Sequence, residues 1–187
     1  GLKEEAPLIG IVATLRSWKG HRYLLEAFAG MSNADAHLVI VGDGPGRENL
    51  RLQANELGIT GRVTMPGNQN HVAPWLSALD VFVLPSYANE GVPQALMQAQ
   101  ACGIAVISTA VGAIPEIVED GVSGLLVPPR DADALRNALN KVLDDADLRS
   151  RLADAGLAQA RRRYSDKIMI DRMEAVLADA IVRPRAS

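Results

Sequence analysis

A lysine, an acid and two glutamines stand in this sequence where helices would begin just beyond apolar runs, and that placement suits an anion. The segment Pro85-Ser86-Tyr87-Ala88-Asn89-Glu90-Gly91-Val92-Pro93-Gln94 leads into a helical stretch from Ala95 to Cys102, which Gly103 ends. Pro93 suits the first helical position, because its missing N–H is no loss there. The N–H groups of Gln94 and Ala95 then stay unpaired and point out of the helix start. Glu90 lies just before that helix, beside Gly91, which permits close backbone approach to a ligand. Gln98 follows Gln94 by four residues and shares its face. Amides for a phosphate, with a carboxylate and an amide side chain for hydroxyls, suit a sugar phosphate. A dipole-complementing Glu90 and a solvated Gln98 fit the same residues.

Three other loops carry weaker signals. Leu15-Arg16-Ser17-Trp18-Lys19-Gly20 ends at a helix start, where a lysine is unfavourable unless an anion is present. Lys19 with Arg16 and free backbone amides would make a phosphate site, while a lysine pointing into water is an equal alternative. Gly42-Asp43-Gly44-Pro45-Gly46 invites a dinucleotide reading. Pro45 removes a donor, however, and Met65-Pro66-Gly67 stands where a ribose-binding acid belongs, so a structural turn fits better. Thr109-Ala110-Val111-Gly112-Ala113-Ile114-Pro115 lines the same cleft or is plain turn chemistry.

The remaining reactive side chains point nowhere specific. His21, His37 and His71 lack metal-ligand spacing, so no metal site is expected. The single cysteine, Cys102, excludes an internal disulfide and reads as an inert packing residue. No nucleophile turn of a hydrolase is present. The net charge of −3 offers no electrostatic case for nucleic acid or an anionic membrane. No apolar run reaches membrane-spanning length. A cytoplasmic, reducing location is the resulting expectation.

These loops need a scaffold that aligns them. The 187 residues are 48% hydrophobic and 22% charged, enough for one packed domain over residues 1–187. Apolar runs at Leu8–Thr14, His37–Gly42, Arg62–Pro66, Val81–Pro85, Ile104–Thr109 and Gly124–Val127 alternate with amphipathic stretches. Runs apolar on both faces suit parallel strands covered on each side. The expectation is an α/β fold: a doubly wound, Rossmann-like parallel sheet of about six strands with helices on both faces. A helical C-terminal tail follows, with helices over Ala132–Leu143, Asp147–Arg163 and Lys167–Ile181. Ligands of such sheets bind beyond the carboxyl ends of the strands, where the four loops lie.

The stretch Ser86 to Gly103 resembles the donor-site segment of retaining glycosyltransferases of the GT-B fold, family four. Lys19-Gly20, Val41-Gly42-Asp43-Gly44-Pro45 and Gly112-Ala113-Ile114-Pro115-Glu116-Ile117-Val118 match further blocks of that family, as do Gly121 and Gly124-Leu125-Leu126-Val127. The blocks recur in order from about residue 8 to 130. The resemblance implies the C-terminal, donor-binding domain of a two-domain enzyme whose N-terminal acceptor domain is absent. It implies a nucleotide-diphosphate sugar as donor substrate, no cofactor and no metal. Glu90 matches the first acid of a Glu-x7-Glu motif that contacts the transferred sugar. Gly91, Val92 and Pro93 match the loop around that sugar, Gln94 and Ala95 match donors to the diphosphate, and Asn68 falls where the base is held. Lys19 matches the lysine that neutralises charge on the departing diphosphate, a role that stabilises the transition state preferentially.

The sequence departs from the family at three places. Gln98 replaces the second motif acid, Thr14 the arginine five residues before the lysine, and Ala113 a common second glycine. An amide still bonds hydroxyls, so Gln98 bears on donor affinity rather than on fold. The expectation is a glycosyltransferase half that binds its donor weakly and transfers nothing alone, from a parent enzyme that lipid-linked acceptors would bring to the membrane. A noncatalytic nucleotide-binding module and a nicotinamide-dependent oxidoreductase remain alternatives.

Overall fold

The computed structural model describes residues 6–88, 90–164, 168, 170, 171, 173–175 and 177. Six parallel strands form one sheet: β1 (Leu8–Val12), β2 (His37–Val41), β3 (Val63–Gly67), β4 (Val81–Leu84), β5 (Ala105–Thr109) and β6 (Leu125–Val127). Their order is β3-β2-β1-β4-β5-β6, so the direction of winding reverses between β1 and β4. That reversal opens a crevice at the carboxyl ends of these two strands, because their following loops diverge to opposite faces. The six expected strands are all present, each within a residue or two of its apolar run.

Burial explains the patterning. Every residue of β2, β4 and β5 is buried, as are Ile9 and Ile11 of β1, so the central strands read as continuous apolar runs. The edge strands β3 and β6 are only partly covered, and β3 tolerates Pro66 because an edge has unpaired positions to spare. Helices α1 (His21–Ala29), α2 (Arg47–Glu56) and α6 (Ala132–Asp144) pack together over one face. Helices α3 (Ala73–Ser77), α4 (Gln94–Ala101) and α7 (Ala146–Arg163) cover the other, with the short α5 (Ile114–Ile117) between β5 and β6. This two-sided cover is what right-handed crossovers on either side of a reversal produce.

The helical tail is confirmed for its first two members. Asp131 and Asp145 cap α6 and α7 by accepting from the Ala134 and Leu148 amides, each at 2.8 Å. Most of the expected helix Lys167–Ile181 lies outside the described residues; those of its positions that are described are helical. Cys102 is half-buried, packed against the core at the end of α4.

One buried titratable group sits under the β1–α1 loop. His21 opens α1 at 2% exposure, and its Nε2 has no hydrogen-bond partner among the described residues. Burial lowers its pKa from 6.5 to about 4, the nearby Lys19 charge adds to that, and a bond to the Arg16 backbone opposes both. The unfolded chain therefore binds more protons than the folded one between these values, and stability falls as pH drops from about 6.5 to about 4. Replacing His21 by phenylalanine should flatten that part of the stability–pH curve by roughly 3 kcal/mol. Urea unfolding of both proteins from pH 7.5 to 4 measures the difference; parallel curves would refute the assignment.

Candidate active site at the strand reversal

Lys19 and Glu90, 71 residues apart in sequence, meet at the reversal: Lys19 Nζ lies 2.7 Å from Glu90 Oε1. Lys19 is the last residue of a 3-10 turn, Ser17–Lys19, that follows β1; Glu90 comes from the β4–α4 loop. Gly20 then turns the chain into α1 with φ 76°, and a Cβ there would lie 1.9 Å from the Pro85 carbonyl oxygen. Only glycine fits a left-handed position pressed this closely against a neighbouring loop. The close packing of these two loops is what brings the lysine to the acid.

Glu90 is held from several sides. Its side chain is 3% exposed and that of Lys19 19%. Ser86 Oγ donates to the same oxygen, Oε1, that receives Lys19. Glu90 Oε2 has no partner among the described residues, which leaves it open to a hydroxyl donor. Thr109 Oγ1 donates to the Ser86 carbonyl, and the Tyr87 amide donates to the Trp18 carbonyl at 2.8 Å. Gly112, with φ 58°, lies so close that a Cβ would sit 1.9 Å from the Glu90 carbonyl oxygen. The loops after β1, β4 and β5 thus meet around one carboxylate.

The helix that follows begins one residue later than expected. Pro93 is the N-cap of α4 in an extended conformation (ψ 107°), and Gln94 is the first helical residue. Proline fits either the cap or the first helical position, because its φ stays near −65° in both while ψ alone decides which it is. Leu96 and Met97 amides donate to the Pro93 carbonyl, whereas the Gln94 and Ala95 amides have no acceptor among the described residues. No side chain caps α4. Two free donors therefore stand at the positive end of a helix that begins four residues after Glu90, an arrangement suited to an anion.

The other expected site residues spread around this centre. Gly91 and Val92 are exposed, Val92 to 57%, and Pro93 is buried. Gln94 and Gln98 share an exposed face and line a groove with Met97 of α4 and Arg161 and Tyr164 at the end of α7. Asn68 is exposed beyond the end of β3, which is two strands from β1 and so roughly 10 Å along the mouth of the sheet. Arg16 is exposed with its guanidinium 5.4 Å from the Trp18 ring centroid. No hydrogen bond or ion pair among the described residues joins Arg16, Asn68 or Gln98 to the Lys19–Glu90 pair. The Gly42–Gly46 segment is a structural turn: the Gly46 amide donates to Leu15 O, Gly44 to the Asp43 carboxylate, and Leu15 to Asp43 O. The amides of Gly42, Gly44 and Gly46 are all occupied, which leaves little for a pyrophosphate.

Sequence reasoning missed the contributions of Ser86 and Thr109. A serine four residues before an acid in a loop was the available hint, but nothing along the chain announces that Thr109 reaches the Ser86 carbonyl.

A parallel sheet of this order, with helices on both faces and its winding reversed between β1 and β4, is a Rossmann-like α/β architecture. The chain belongs to the family Glycosyl transferases group 1, which it matches over residues 1–159. It is similar to the lipopolysaccharide core biosynthesis glycosyltransferase LpsE of Rhizobium meliloti, 32% identical over 93% of this chain and 50% of that protein. The crystal structure of Anabaena HepE in complex with UDP superposes with a TM-score of 0.88 at 26% identity, covering 93% of this chain and 49% of that one. The C-terminal domain of a glycosyl transferase group 1 protein, LpcC of Francisella tularensis, superposes at 0.78 with 27% identity, covering 87% of this chain and 90% of that domain. The fold is that of GT-B glycosyltransferases, and the chain spans about half the length of the curated relatives it matches.

Because Glu90 is the more deeply buried partner, removing its cation should cost more than removing the acid itself. Lys19→Met is expected to destabilise the fold by about 3 kcal/mol, since an unpaired charge then remains buried. Glu90→Gln should cost only about 1 kcal/mol, because Lys19 can turn toward water. Chemical denaturation of the two variants and of the double variant measures this; equal losses would show that the pair is not a buried one.

Proposed function

We propose that this chain is the C-terminal, donor-binding half of a retaining glycosyltransferase, which uses a nucleotide-diphosphate sugar to glycosylate an acceptor held by a second domain. The observation that carries the reading is the Lys19–Glu90 pair at the strand reversal, on a loop that runs within four residues into the start of α4, where the Gln94 and Ala95 amides are free. The diphosphate seats on those amides, with Lys19 at the leaving-group oxygen. Glu90 turns its unshared Oε2 toward a sugar hydroxyl, within the loop Gly91-Val92-Pro93. Gln98 addresses the ribose and Asn68 the base, with Arg16 on the outer phosphate side.

The chemistry follows from these positions. Departure of a nucleoside diphosphate builds negative charge on its phosphoryl oxygens, and a fixed ammonium with helix amides stabilises that charge more than the ground state. In the unliganded site the Lys19 charge is neutralised by Glu90, so an arriving diphosphate shares the cation rather than meeting a bare one. No metal has a part in this scheme. Among the described residues no group of three or more His, Cys, Asp or Glu is placed to hold one. Among the same residues no helix is long and apolar enough to cross a membrane.

A thermal-shift panel of nucleoside diphosphates and their sugars tests the proposal on this chain directly. UDP is the first to try, since the Anabaena neighbour was crystallised with it. One nucleotide should raise the melting temperature by several degrees through linkage, and Glu90→Gln should weaken the sugar-bearing ligand more than the bare diphosphate. Sugar transfer should be undetectable until an acceptor domain is supplied. Absence of any shift, or steady turnover by the chain alone, would overturn this reading.

A further inference from the structure

Arg130 is the sole non-glycine residue with positive φ among the described residues, at 61° in the loop between β6 and α6. Backbone in this region is unfavourable for a residue with a Cβ, and such conformations persist where the surroundings hold them. The surroundings here are aromatic. The Arg130 guanidinium lies 4.4 Å from the centroid of the Tyr87 ring, and that ring meets the edge of Tyr23 on α1 at 6.0 Å with an 88° interplanar angle. Arg22 lies 5.3 Å from the Tyr23 ring centroid. Tyr87 thus meets a cation from the β6–α6 loop and, edge to face, a ring from α1, which ties that loop to α1.

Tyr87 belongs to the segment that carries the acid. It lies between Ser86, which donates to Glu90 Oε1, and Glu90 itself, and its amide donates to the carbonyl of Trp18, the neighbour of Lys19. Holding the Tyr87 ring therefore holds both the loop that bears Glu90 and its junction with the loop that bears Lys19. No carboxylate among the described residues pairs with Arg130, so the ring is its principal partner.

We propose that Arg130 is a positioning residue: by stacking on Tyr87 it braces the Ser86–Glu90 segment against the Lys19 loop, fixing the carboxylate that reads the donor sugar. The donor part of this statement rests on the function proposed above; the brace itself does not. Arg130→Gly removes the whole side chain, guanidinium included, at a position whose φ of 61° glycine adopts without strain.

Amide hydrogen exchange of Tyr87, followed by NMR on the ligand-free chain, reads the brace. In Arg130→Gly, exchange at Tyr87 should accelerate about two- to five-fold, the loss of an exposed cation–π contact expressed as a ratio, while the melting temperature does not fall. Arg130→Lys and Tyr87→Phe keep a cation and a ring and should behave like the wild type. Calorimetry should show the affinity for a UDP-hexose falling by a similar factor in Arg130→Gly, with the affinity for UDP unchanged. Unchanged exchange at Tyr87 overturns the brace. Equal losses for UDP and UDP-hexose overturn the claim that Arg130 acts through the sugar-reading carboxylate and mark it as a direct phosphate ligand. If the wild type binds neither ligand while Arg130→Gly still speeds exchange, the brace stands and the donor reading fails.

Discussion

A carboxylate with a side chain only 3% exposed has to be supplied with donors, or it loses its charge or unfolds the loop that carries it. At Glu90 those donors are an ammonium from the loop after β1 and a hydroxyl from its own loop, both directed at one oxygen. The rest of the site follows from satisfying that group. Gly20 and Gly112 lack side chains where the β4–α4 loop presses against its neighbours, and Thr109 and Trp18 tie that loop's backbone down. Each of these contacts crosses between different strands' loops, so the acid is only as well placed as the sheet is regular.

The order of the strands makes such crossing contacts available. With β1 and β4 adjacent at the reversal, the loops after them leave toward opposite faces and open a crevice. Lys19 and Glu90 stand on its two sides. Strand β5, one strand further on, supplies Thr109 at its end and Gly112 from the loop after it, while the β3 loop with Asn68 lies further along the mouth. A nucleotide sugar is an extended ligand with three chemically different parts, and a row of loops along a sheet edge can address each part from a separate strand. Members of one fold family can therefore exchange sugar and base by changing loops while the central strands stay buried and apolar.

The pairing of Lys19 with Glu90 also bears on how charge is managed before a ligand arrives. A lone lysine against the positive end of α1 would be repelled by that helix dipole. The acid relieves that repulsion and holds the ammonium at the crevice. The cost is desolvation of two charges, which is met by the Ser86 hydroxyl and by the residual exposure of the lysine. His21, directly beneath, stays neutral for a related reason, since burial and the Lys19 charge both disfavour its protonation.

Much of this was legible along the chain. Hydrophobic periodicity and glycine or proline punctuation placed all six strands, because these features depend on neighbours within a few residues. The helix start at Pro93 was offset by one position, since a proline satisfies either role locally. Lys19, Glu90 and the free amides at Gln94 and Ala95 could be named as candidates, but their types alone left a solvent-facing lysine and a dipole-complementing acid equally open. Contact between residues 71 apart, the sharing of a single carboxylate oxygen with Ser86, and the stack of Arg130 on Tyr87 depend on which strands lie side by side. Local sequence encodes what each segment becomes; only the packed sheet brings the segments' ends within hydrogen-bonding distance, because that distance is set by strand order and spacing rather than by separation along the chain.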